Sequence, residues 1–329
     1  MASNSQTTIA SKRSQMENRK SQIAYLFPGQ GSQYVGMGKD LFENFTAARD
    51  AFNEADEALG LPLGAMCFEG NDEDLQLTAN TQPAILATSV AAYRAMLSEG
   101  FSQPDYVAGH SLGEYSALVA AGVLDFGDAL RTVRKRGTYM QEAVPVGVGA
   151  MAAILGLDVE TIEKGCAEAA DGQVCSPANI NSPTQVVIAG NTEAVDRACE
   201  ILKGKGAKRA IKLNVSAPFH CGLMMPAEER LAVDLRELAY GDFEFPIVHN
   251  VDADVNRSSD NVADALKRQV SSTVRWLQSI EKLRSMGVEQ FVEVGPGKVL
   301  SGLLRQIDRE AASANVEDSE SLRSTLETL

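Results

Sequence analysis

The stretch that decides the fold is Tyr106-Val107-Ala108-Gly109-His110-Ser111-Leu112-Gly113-Glu114-Tyr115-Ser116-Ala117-Leu118. A short apolar run, a Gly-x-Ser-x-Gly pentapeptide and an alanine-rich segment are typical of a strand, a sharp turn and a helix. Gly109 and Gly113 lie where the two arms of such a turn leave no room for a Cβ atom. Ser111 is then a candidate nucleophile, and the N–H of Leu112 faces any oxyanion formed beside it. The alternative is an ordinary serine between two loop glycines.

Composition and charge narrow the class of protein. The chain has 329 residues, 44% of them hydrophobic and 22% charged, which suffices for one large domain with an insertion or for two domains. A formal net charge of −14 argues against nucleic acid as a ligand, because phosphate contacts need a basic surface. No apolar run reaches the length of a membrane-spanning helix. We therefore expect a globular protein that binds neither nucleic acid nor membrane.

The five cysteines indicate a reducing compartment. Their number is odd and they form no Cys-x-x-Cys pair, which argues against both a disulfide framework and a zinc site. We therefore expect a cytoplasmic protein that holds no metal.

The fold is expected to begin after a polar segment. Residues 1–22 are rich in Ser, Thr and basic side chains, as in a transit peptide, an unstructured leader or a misplaced start, and we exclude them from the fold. Residues 23–27 are typical of a buried strand, and residues 34–52 of an amphipathic helix. The glycine-containing loop between them, residues 28–33, allows the backbone to approach a ligand. That ligand is either a phosphate, although the loop lacks the Lys-Ser/Thr pair of a Walker motif, or an oxyanion shared with the serine turn.

Two further helices flank the serine turn. Residues 78–97 form the first, with Pro83 near its beginning, and lead to the serine strand. Residues 127–143 form the second, which carries Arg131, Arg134, Lys135 and Arg136. Such a basic run is either a solvated face or contains one arginine that points inward and binds a carboxylate through two hydrogen bonds. The spacing alone does not choose among the four residues.

The segment from 146 to 215 has a pattern of its own. Its apolar runs and amphipathic stretches follow the order β-α-β-β-α-β, which is the ferredoxin-like order. We predict an α/β fold in which a large α/β-hydrolase-like domain with a parallel sheet holds an inserted ferredoxin-like small subdomain. The predicted division is a disordered leader at 1–22, the large domain at 23–145 and 216–310, the small subdomain at 146–215, and a C-terminal tail at 311–329.

The candidate general base follows by elimination among three histidines. His110 adjoins Ser111 in a tight turn, where neighbouring side chains diverge. His249 ends an apolar strand and is typical of a hydrogen-bonded core histidine. His220 remains, in an irregular loop after the insertion, and a serine followed later by a histidine is also the chain order of the α/β-hydrolases. Such a histidine takes the serine proton and returns it to a leaving thiol, and no acid partner for it is identifiable.

Six blocks of sequence together resemble the malonyl-CoA:acyl-carrier-protein transacylase family. They occur in order between about Ile23 and Ile307. The blocks are Phe27-Pro28-Gly29-Gln30-Gly31-Ser32-Gln33, Gly109-His110-Ser111-Leu112-Gly113-Glu114, Arg136-Gly137, Gln185-Val186-Val187-Ile188-Ala189-Gly190, Phe219-His220 and Phe291-Val292-Glu293-Val294-Gly295-Pro296-Gly297.

The resemblance implies roles for the reacting and substrate-binding side chains. Ser111 matches the nucleophile that is acylated, and His220 matches its general base. Arg136 matches the arginine that pairs with the malonyl carboxylate. Phe219 matches an aromatic residue that narrows the pocket in malonyl-selective members.

The resemblance also implies three supporting groups. Gln30 and Leu112 match the two backbone N–H donors of the oxyanion hole. Gln269 matches a glutamine whose main-chain carbonyl orients the histidine, which accounts for the missing triad acid. The family usually has Asn-Pro-Val-x-Trp nearby, whereas this chain has Ser272-Thr273-Val274-Arg275-Trp276, a difference that affects the expected loop geometry.

The implied activity is transfer of a malonyl group from coenzyme A to the phosphopantetheine thiol of acyl carrier protein. The transfer passes through a malonyl-serine intermediate with ping-pong kinetics, supplies extender units for fatty acid biosynthesis, and needs no cofactor beyond the malonyl-CoA substrate. The carrier is expected to be acidic, so residues 131–136 and 203–209 are candidate basic docking surfaces. We expect a monomer. The alternatives are a serine acyl hydrolase or thioesterase, an acyltransferase of a polyketide pathway, and a non-catalytic carrier-binding module.

Overall fold

The computed structural model describes residues 21–215 and 217–329, and two β-sheets organise it. Most of the leader predicted for residues 1–22 lies outside the described residues, and Gln22 already begins the first strand. In chain order the strands are β1 Gln22–Phe27, β2 Tyr106–Gly109, β3 Gly149–Leu155, β4 Cys175–Ser182, β5 Gln185–Asn191, β6 Arg209–Lys212, β7 Ile247–Val248, β8 Val255–Asn256, β9 Val288–Val294 and β10 Ala312–Val316.

Helices cover both sheets. In chain order the α-helices are α1 Lys39–Asn44, α2 Thr46–Leu59, α3 Leu63–Glu69, α4 Asp72–Gln76, α5 Thr78–Ser98, α6 Gly113–Ala120, α7 Phe126–Glu142, α8 Val159–Ala170, α9 Thr192–Gly204, α10 Met225–Glu237, α11 Val262–Gln269, α12 Trp276–Ser285, α13 Val299–Ile307 and α14 Ser319–Thr328. Short 3₁₀-helices occupy Gly222–Met224 and Ser259–Asn261. None of the helices in the described residues has the length and apolar character needed to span a membrane.

The main sheet has six strands in the order β10-β9-β1-β2-β7-β8. Every neighbouring pair is parallel except β7 and β8. Parallel strands are covered on both faces and read as continuous apolar runs, and residues 23–27 of β1 are all buried. Phe27 pairs with Gly109, so β1 and β2 end side by side. The loops that follow these two strands therefore open at the same edge of the sheet, where ligands bind in α/β proteins.

The small sheet is antiparallel throughout, with the order β4-β5-β3-β6. Its strands alternate with α8 and α9 in the sequence β-α-β-β-α-β, and both helices pack on the sheet. The predicted fold class is confirmed: an α/β protein with a parallel main sheet and an inserted ferredoxin-like subdomain. The boundaries at 146 and 215 stay a prediction.

Backbone hydrogen bonds join the two parts next to the unusual segment 272–276. The amide of Val274 donates to the carbonyl of Ala178, 2.8 Å away, and the amide of Ile180 donates to the carbonyl of Val274, 2.9 Å away. Trp276 is completely buried. Val274, which this chain shares with the family pattern, therefore joins strand β4 of the small subdomain to the main domain.

The predicted helix at residues 34–52 is wrong in its first part. Gly36 and Gly38 adopt φ angles of 103° and 75°, which belong to the left-handed region, and helix α1 begins only at Lys39. A Cβ atom on Gly38 would lie 2.6 Å from the ring of Phe52, so the chain must turn tightly here. Phe45 is extended and separates α1 from α2.

The predicted C-terminal tail at 311–329 is also wrong, because these residues belong to the main domain. Strand β10 pairs in parallel with β9 at the edge of the main sheet, and α14 packs against β10. Asp318 caps α14 by accepting a 2.8 Å hydrogen bond from the amide of Ser321. Strand β10 is short and mostly polar or small, so its sequence lacks the apolar pattern that predicts a strand.

Gly109→Ala tests the packing of the serine turn. A Cβ atom at this position would lie 1.9 Å from the carbonyl carbon of Gly113 and 2.4 Å from the amide nitrogen of Glu114. Because only backbone could yield, we expect urea unfolding to show a loss of about 3 kcal/mol in the free energy of unfolding.

Gly302→Ala in α13 is the matched control, since a Cβ atom there meets nothing within 4 Å. Loss of a helical glycine should raise the free energy of unfolding by about 0.5–1 kcal/mol. Equal effects of the two substitutions would contradict the close approach at Gly109.

Candidate active site

The candidate nucleophile lies at the turn between β2 and α6. Ser111 has a φ angle of 52°, in the left-handed region that non-glycine residues rarely occupy. Gly113 makes this turn possible, because a Cβ atom there would lie 2.0 Å from the carbonyl oxygen of Phe27. The amide of Ser111 donates a 2.7 Å hydrogen bond to Oδ1 of Asn250, which holds the strained residue in place.

His220 contacts the candidate nucleophile directly. Its Nε2 atom lies 2.7 Å from Ser111 Oγ, and its Nδ1 atom lies 2.8 Å from the main-chain carbonyl oxygen of Gln269. A carbonyl only accepts, so Nδ1 carries the proton and Nε2 is free to accept the proton of the serine hydroxyl. Burial, followed by the positive charge of Arg136, lowers the pKa of His220 to about 3. The ring is therefore neutral at pH 7, as a general base must be.

Arg136 is the one residue of the basic run that enters the site. It is 1% exposed, and its Nη2 atom donates to Ser111 Oγ at 3.1 Å and to Oε1 of Gln269 at 2.9 Å. Its Nη1 atom donates to Oε1 of Gln82 at 2.8 Å. Burial lowers the pKa of Arg136, but a guanidinium stays charged at neutral pH. A buried cation with neutral acceptors around it is suited to a carboxylate ligand.

Gly137, directly after Arg136, allows helix α7 to pack closely against helix α5. A Cβ atom on Gly137 would lie 2.5 Å from the carbonyl oxygen of Thr78, so α7 packs directly on the start of α5. The other basic residues of the run diverge from the site. Arg131 pairs with Asp128 at the surface, and Lys135 pairs with Asp234.

A cavity of about 260 Å³ opens at these side chains. Ser111, His220, Arg136 and Phe219 line it, and the side chain of Phe219 is 8% exposed. The opposite wall is mostly apolar and comes from the small subdomain and from α13. Its lining includes Met151, Ala153, Val187, Leu213, Leu300 and Leu303.

The two residues predicted to supply oxyanion N–H groups both line the cavity. Leu112 follows the serine at the start of α6, and Gln30 lies in the loop after β1. This loop touches the serine turn, because a Cβ atom on Gly29 would lie 2.3 Å from the carbonyl oxygen of His110. The two loops therefore meet beside Ser111, as the resemblance requires, and the role of their N–H groups stays a prediction.

The remaining histidines have other partners. His110 is half-buried, its Nε2 atom lies 2.9 Å from Oδ1 of Asn181, and desolvation lowers the pKa of its ring. His249 is buried, and its Nδ1 atom lies 2.6 Å from a carboxylate oxygen of Glu114. His220 is thus the histidine in hydrogen-bond contact with Ser111 Oγ.

Three polar residues at the site were not identified from the sequence: Gln82, Glu114 and Asn250. Gln82 holds the guanidinium of Arg136 and gives no pattern that singles it out. Glu114 is completely buried in α6, where it accepts hydrogen bonds instead of facing solvent. A lone glutamate in the otherwise apolar helix Gly113–Ala120 was the signal that could have revealed it, because buried glutamates are rare unless paired.

Metal-ligating side chains do not cluster near these groups in the part of the chain that the structure describes. Within residues 21–215 and 217–329, no three His, Cys, Asp or Glu side chains come together as metal ligands would. What the arrangement provides is a candidate nucleophile in contact with a neutral histidine and a buried guanidinium.

Comparisons with known proteins identify relatives over nearly the whole chain. The family described as acyl transferase domain matches residues 24–323. The malonyl CoA-acyl carrier protein transacylase of Escherichia coli (strain K12) is 52% identical over 299 residues, which cover 91% of this chain and 97% of that protein.

Two solved structures show the same fold. The crystal structure of an acyl carrier protein S-malonyltransferase from Vibrio cholerae has a TM-score of 0.91 at 50% identity, covering 93% of this chain and 100% of that one. A malonyl-transacylase in complex with a type II PKS acyl-carrier protein has a TM-score of 0.92 at 49% identity, covering 94% of this chain and 100% of that one.

The pH dependence of stability tests the protonation state of His220. Its folded-state pKa of about 3 lies below the unfolded value of about 6.5. Between these values the unfolded chain binds a proton that the folded protein does not, so stability is lost as the pH falls from 6.5 toward 3.

We therefore compare the native protein with His220→Gln by urea unfolding at pH 7.5 and pH 5.0. At about 1.4 kcal/mol per pH unit, the native protein should lose about 2 kcal/mol more than the variant between the two pH values. An equal loss in both proteins would show that His220 titrates normally and would contradict the neutral, buried base.

Proposed function

The chain belongs to the acyl transferase family and, within it, to the malonyl CoA-acyl carrier protein transacylases, and we propose that Ser111, His220 and Arg136 carry out the malonyl transfer. It is an enzyme that moves a malonyl group from coenzyme A to acyl carrier protein. The observation that supports the proposed residues is that the three side chains meet at the hydroxyl of Ser111. Ser111 Oγ lies 2.7 Å from the base nitrogen of His220 and 3.1 Å from the guanidinium of Arg136, inside a single cavity.

The first half-reaction loads the serine. The carboxylate of malonyl-CoA binds Arg136, which directs the thioester carbonyl toward Ser111. The hydroxyl proton moves to Nε2 of His220 while Oγ attacks the carbonyl carbon. The carbon–sulfur bond then breaks, and His220 returns the proton to the departing thiolate of coenzyme A. A malonyl ester of Ser111 remains.

The second half-reaction is the first in reverse with a different thiol. The phosphopantetheine thiol of the carrier enters the same cavity and gives its proton to His220. Its sulfur attacks the ester carbonyl, the carbon–oxygen bond to Ser111 breaks, and Ser111 recovers the proton. Because both thiols use one site in turn, the kinetics are ping-pong.

The surrounding backbone stabilises the charge that develops on the carbonyl oxygen. The N–H groups of Gln30 and Leu112 are the proposed donors, and the positive end of α6 adds to their effect. The main-chain carbonyl of Gln269 accepts from Nδ1 of His220 and takes the orienting role that an aspartate has in many serine hydrolases. Phe219 limits the space beside the acyl group, so larger branched acyl groups should fit less well.

Hydrolysis is the competing outcome, because Ser111 and His220 would also serve an esterase. A hydrolase has no need of a buried guanidinium with neutral acceptors, whereas transfer of an acyl group that ends in a carboxylate does. We propose that the malonyl ester persists until a thiol arrives and that the enzyme supplies fatty acid synthesis. Service to a polyketide pathway is the second candidate, because a relative at 49% identity was solved with a type II PKS acyl-carrier protein.

The first candidate docking surface needs correction. Residues 131–136 were predicted to contribute as a cluster, but Arg136 is buried and cannot contact a carrier protein. Arg131 and Lys135 are exposed and pair with Asp128 and Asp234, and neither lines the cavity.

The second candidate surface, residues 203–209, is the one we retain. Lys203 and Lys205 pair with Glu200 and Glu168, while Lys208 is exposed at the end that leads into β6. Leu213 follows β6 directly and lines the cavity. The short strand β6 therefore connects residues 203–209 to the cavity. A monomer in the cytoplasm remains part of the proposal.

Intact-mass measurement tests the acyl-enzyme. After incubation with malonyl-CoA and without carrier, the native protein should gain the mass of one malonyl group, and Ser111→Ala should gain none, because the ester forms on Oγ. Loss of the added mass on addition of a phosphopantetheine thiol, with malonyl recovered on that thiol, completes the test. A native protein that releases free malonate at the rate of loading would indicate a hydrolase instead.

Arg136→Ala tests substrate selection. A charge-assisted bidentate bond contributes about 1.5–3 kcal/mol, so its loss should lower the preference for malonyl-CoA over acetyl-CoA by about ten- to a hundredfold. Competition between the two thioesters, read by mass at Ser111, measures the preference. Arg131→Ala is the matched control on the same helix and should keep it. Unchanged selectivity in Arg136→Ala would rule out the carboxylate-binding role.

A further inference from the structure

A buried carboxylate lies one layer behind the reacting groups, and the reaction itself does not use it. Glu114 is 0% exposed and sits in the first turn of α6, three residues after the nucleophile. Its Oε1 atom accepts from Nδ1 of His249 at 2.6 Å. Its Oε2 atom accepts from the main-chain amide of Asn250 at 2.9 Å and from Nε2 of Gln269 at 2.9 Å. The carboxylate therefore fixes two residues that themselves contact the site.

Gln269 is the first of these two residues, and it touches every reacting group. Its Nε2 atom donates to the main-chain oxygen of Ser111 at 3.0 Å, and its Oε1 atom accepts from Arg136 at 2.9 Å. Its own main-chain oxygen accepts from Nδ1 of His220 at 2.8 Å. A rotation of the Gln269 amide would therefore disturb the nucleophile and the arginine together. The bond from Nε2 to Glu114 determines which end of the amide faces Arg136.

Asn250 is the second residue, and it clamps the strained turn. Its Oδ1 atom accepts from the amide of Ser111 at 2.7 Å, and its Nδ2 atom donates to the carbonyl oxygen of Gly109 at 2.7 Å. These bonds span the residue whose φ angle is 52°. Glu114 accepts from the main-chain amide of Asn250 and from the side-chain amide of Gln269, so one carboxylate holds both residues.

Asn256 determines which ring nitrogen of His249 carries the proton donated to Glu114. Asn256 accepts from the amide of Ser258 through Oδ1 and donates to the carbonyl of Ser258 through Nδ2, both at 2.9 Å, so its amide orientation is determined. Nδ2 also lies 2.9 Å from Nε2 of His249. Nε2 must then accept, and the proton of His249 is on Nδ1, facing Glu114. Three donors thus converge on the carboxylate.

An amide could not replace this carboxylate without conflict. All the groups that face Glu114 are donors, and a glutamine at this position would direct its own N–H₂ at one of them. Turning the amide oxygen toward Asn250 and Gln269 would set two donors against each other at His249. Turning it the other way would release Gln269, whose amide could then rotate away from Arg136.

We propose that Glu114 is a positioning residue that aligns the nucleophile, the base and the carboxylate-binding arginine as a single unit through Gln269 and Asn250. The inference rests on the proposed function, because it assigns the consequence of misalignment to malonyl transfer and to malonyl selectivity. A displacement of about 1 Å in such a site can cost about a hundredfold in rate.

The test compares Glu114→Gln with Glu293→Gln. Glu293 is the matched control because it is also buried, at 1% exposure, and its carboxylate also accepts three hydrogen bonds, from the amides of Leu300 and Ser301 and from the hydroxyl of Ser301. Both variants lose a buried carboxylate and should lose stability. Only the Glu114 variant should lose alignment at Ser111.

Turnover is measured per site that can be acylated, so that unfolded protein does not enter the result. For Glu114→Gln we expect kcat for malonyl transfer to fall by about a hundredfold and the malonyl-to-acetyl preference to fall by about tenfold, toward the value of Arg136→Ala. For Glu293→Gln we expect the same preference as in the native protein. If both variants keep the native kcat per site and the native preference, Glu114 has only a structural role and the proposal is overturned.

A second variant covers the case in which Glu114→Gln does not fold. His249→Leu keeps the carboxylate of Glu114 and removes the donor to its Oε1 atom, together with the ring nitrogen that accepts from Asn256, so the malonyl preference should fall in the same direction by a smaller factor. An unchanged preference in a folded His249→Leu variant would overturn the proposal. Failure of the proposed function is a separate result, since it would show in the native protein as an absence of malonyl transfer.

Discussion

The site is built around a buried positive charge that has no carboxylate in hydrogen-bond contact among the described residues. Arg136 is 1% exposed, yet in the described part of the chain its hydrogen bonds go to the neutral oxygens of Gln82, Gln269 and Ser111. A buried charge is costly unless it is paired, and the fixed acceptors around Arg136, together with the carboxylate of Glu114 behind Gln269, offset that cost. In the proposed function, the carboxylate of malonyl-CoA pairs with this charge, which favours malonyl over acetyl as the transferred group. The same charge helps to keep His220 neutral, because it opposes a second cation nearby.

The rest of the structure follows from the need to bring distant segments to that charge. Parallel pairing of β1 with β2 places the loop of Gln30 against the turn of Ser111. The glycine after Arg136 allows α7 to approach the start of α5, and the loop after the inserted subdomain carries His220 back to the main domain. Val274 joins the small subdomain to the main domain through backbone hydrogen bonds with Ala178 and Ile180. Glu114 binds the side chain of Gln269, which contacts the main chain of Ser111 and, through its own carbonyl, His220.

The sequence predicted the elements whose signal is local. The strand–turn–helix at Ser111 follows from glycine positions that tolerate no Cβ atom, and the β-α-β-β-α-β order of the insertion follows from its alternating patterns. His220 could be named as base because three histidines offered few choices. The choice of Arg136 among four basic residues came from the family resemblance, because helical spacing alone does not show which face meets α5.

What could not be predicted depends on tertiary contacts. The left-handed conformations of Gly36 and Gly38 delay the start of α1, and an amphipathic pattern does not reveal them. The polar strand β10 is stabilised by pairing with β9, which a local pattern of residues 312–316 does not show. Gln82 acts only through its contact with Arg136. The burial of Glu114 was signalled only by its apolar neighbours, and its hydrogen bonds join residues more than 130 positions apart in sequence.

The most direct test of malonyl transfer through Ser111 is a crystal structure of the native protein after exposure to malonyl-CoA in the absence of a carrier. We expect an ester on Ser111 Oγ whose free carboxylate lies within hydrogen-bond distance of the Arg136 guanidinium. Its carbonyl oxygen should face the N–H groups of Gln30 and Leu112. An ester whose carboxylate points to solvent, or an acyl group attached to any other side chain, would contradict it.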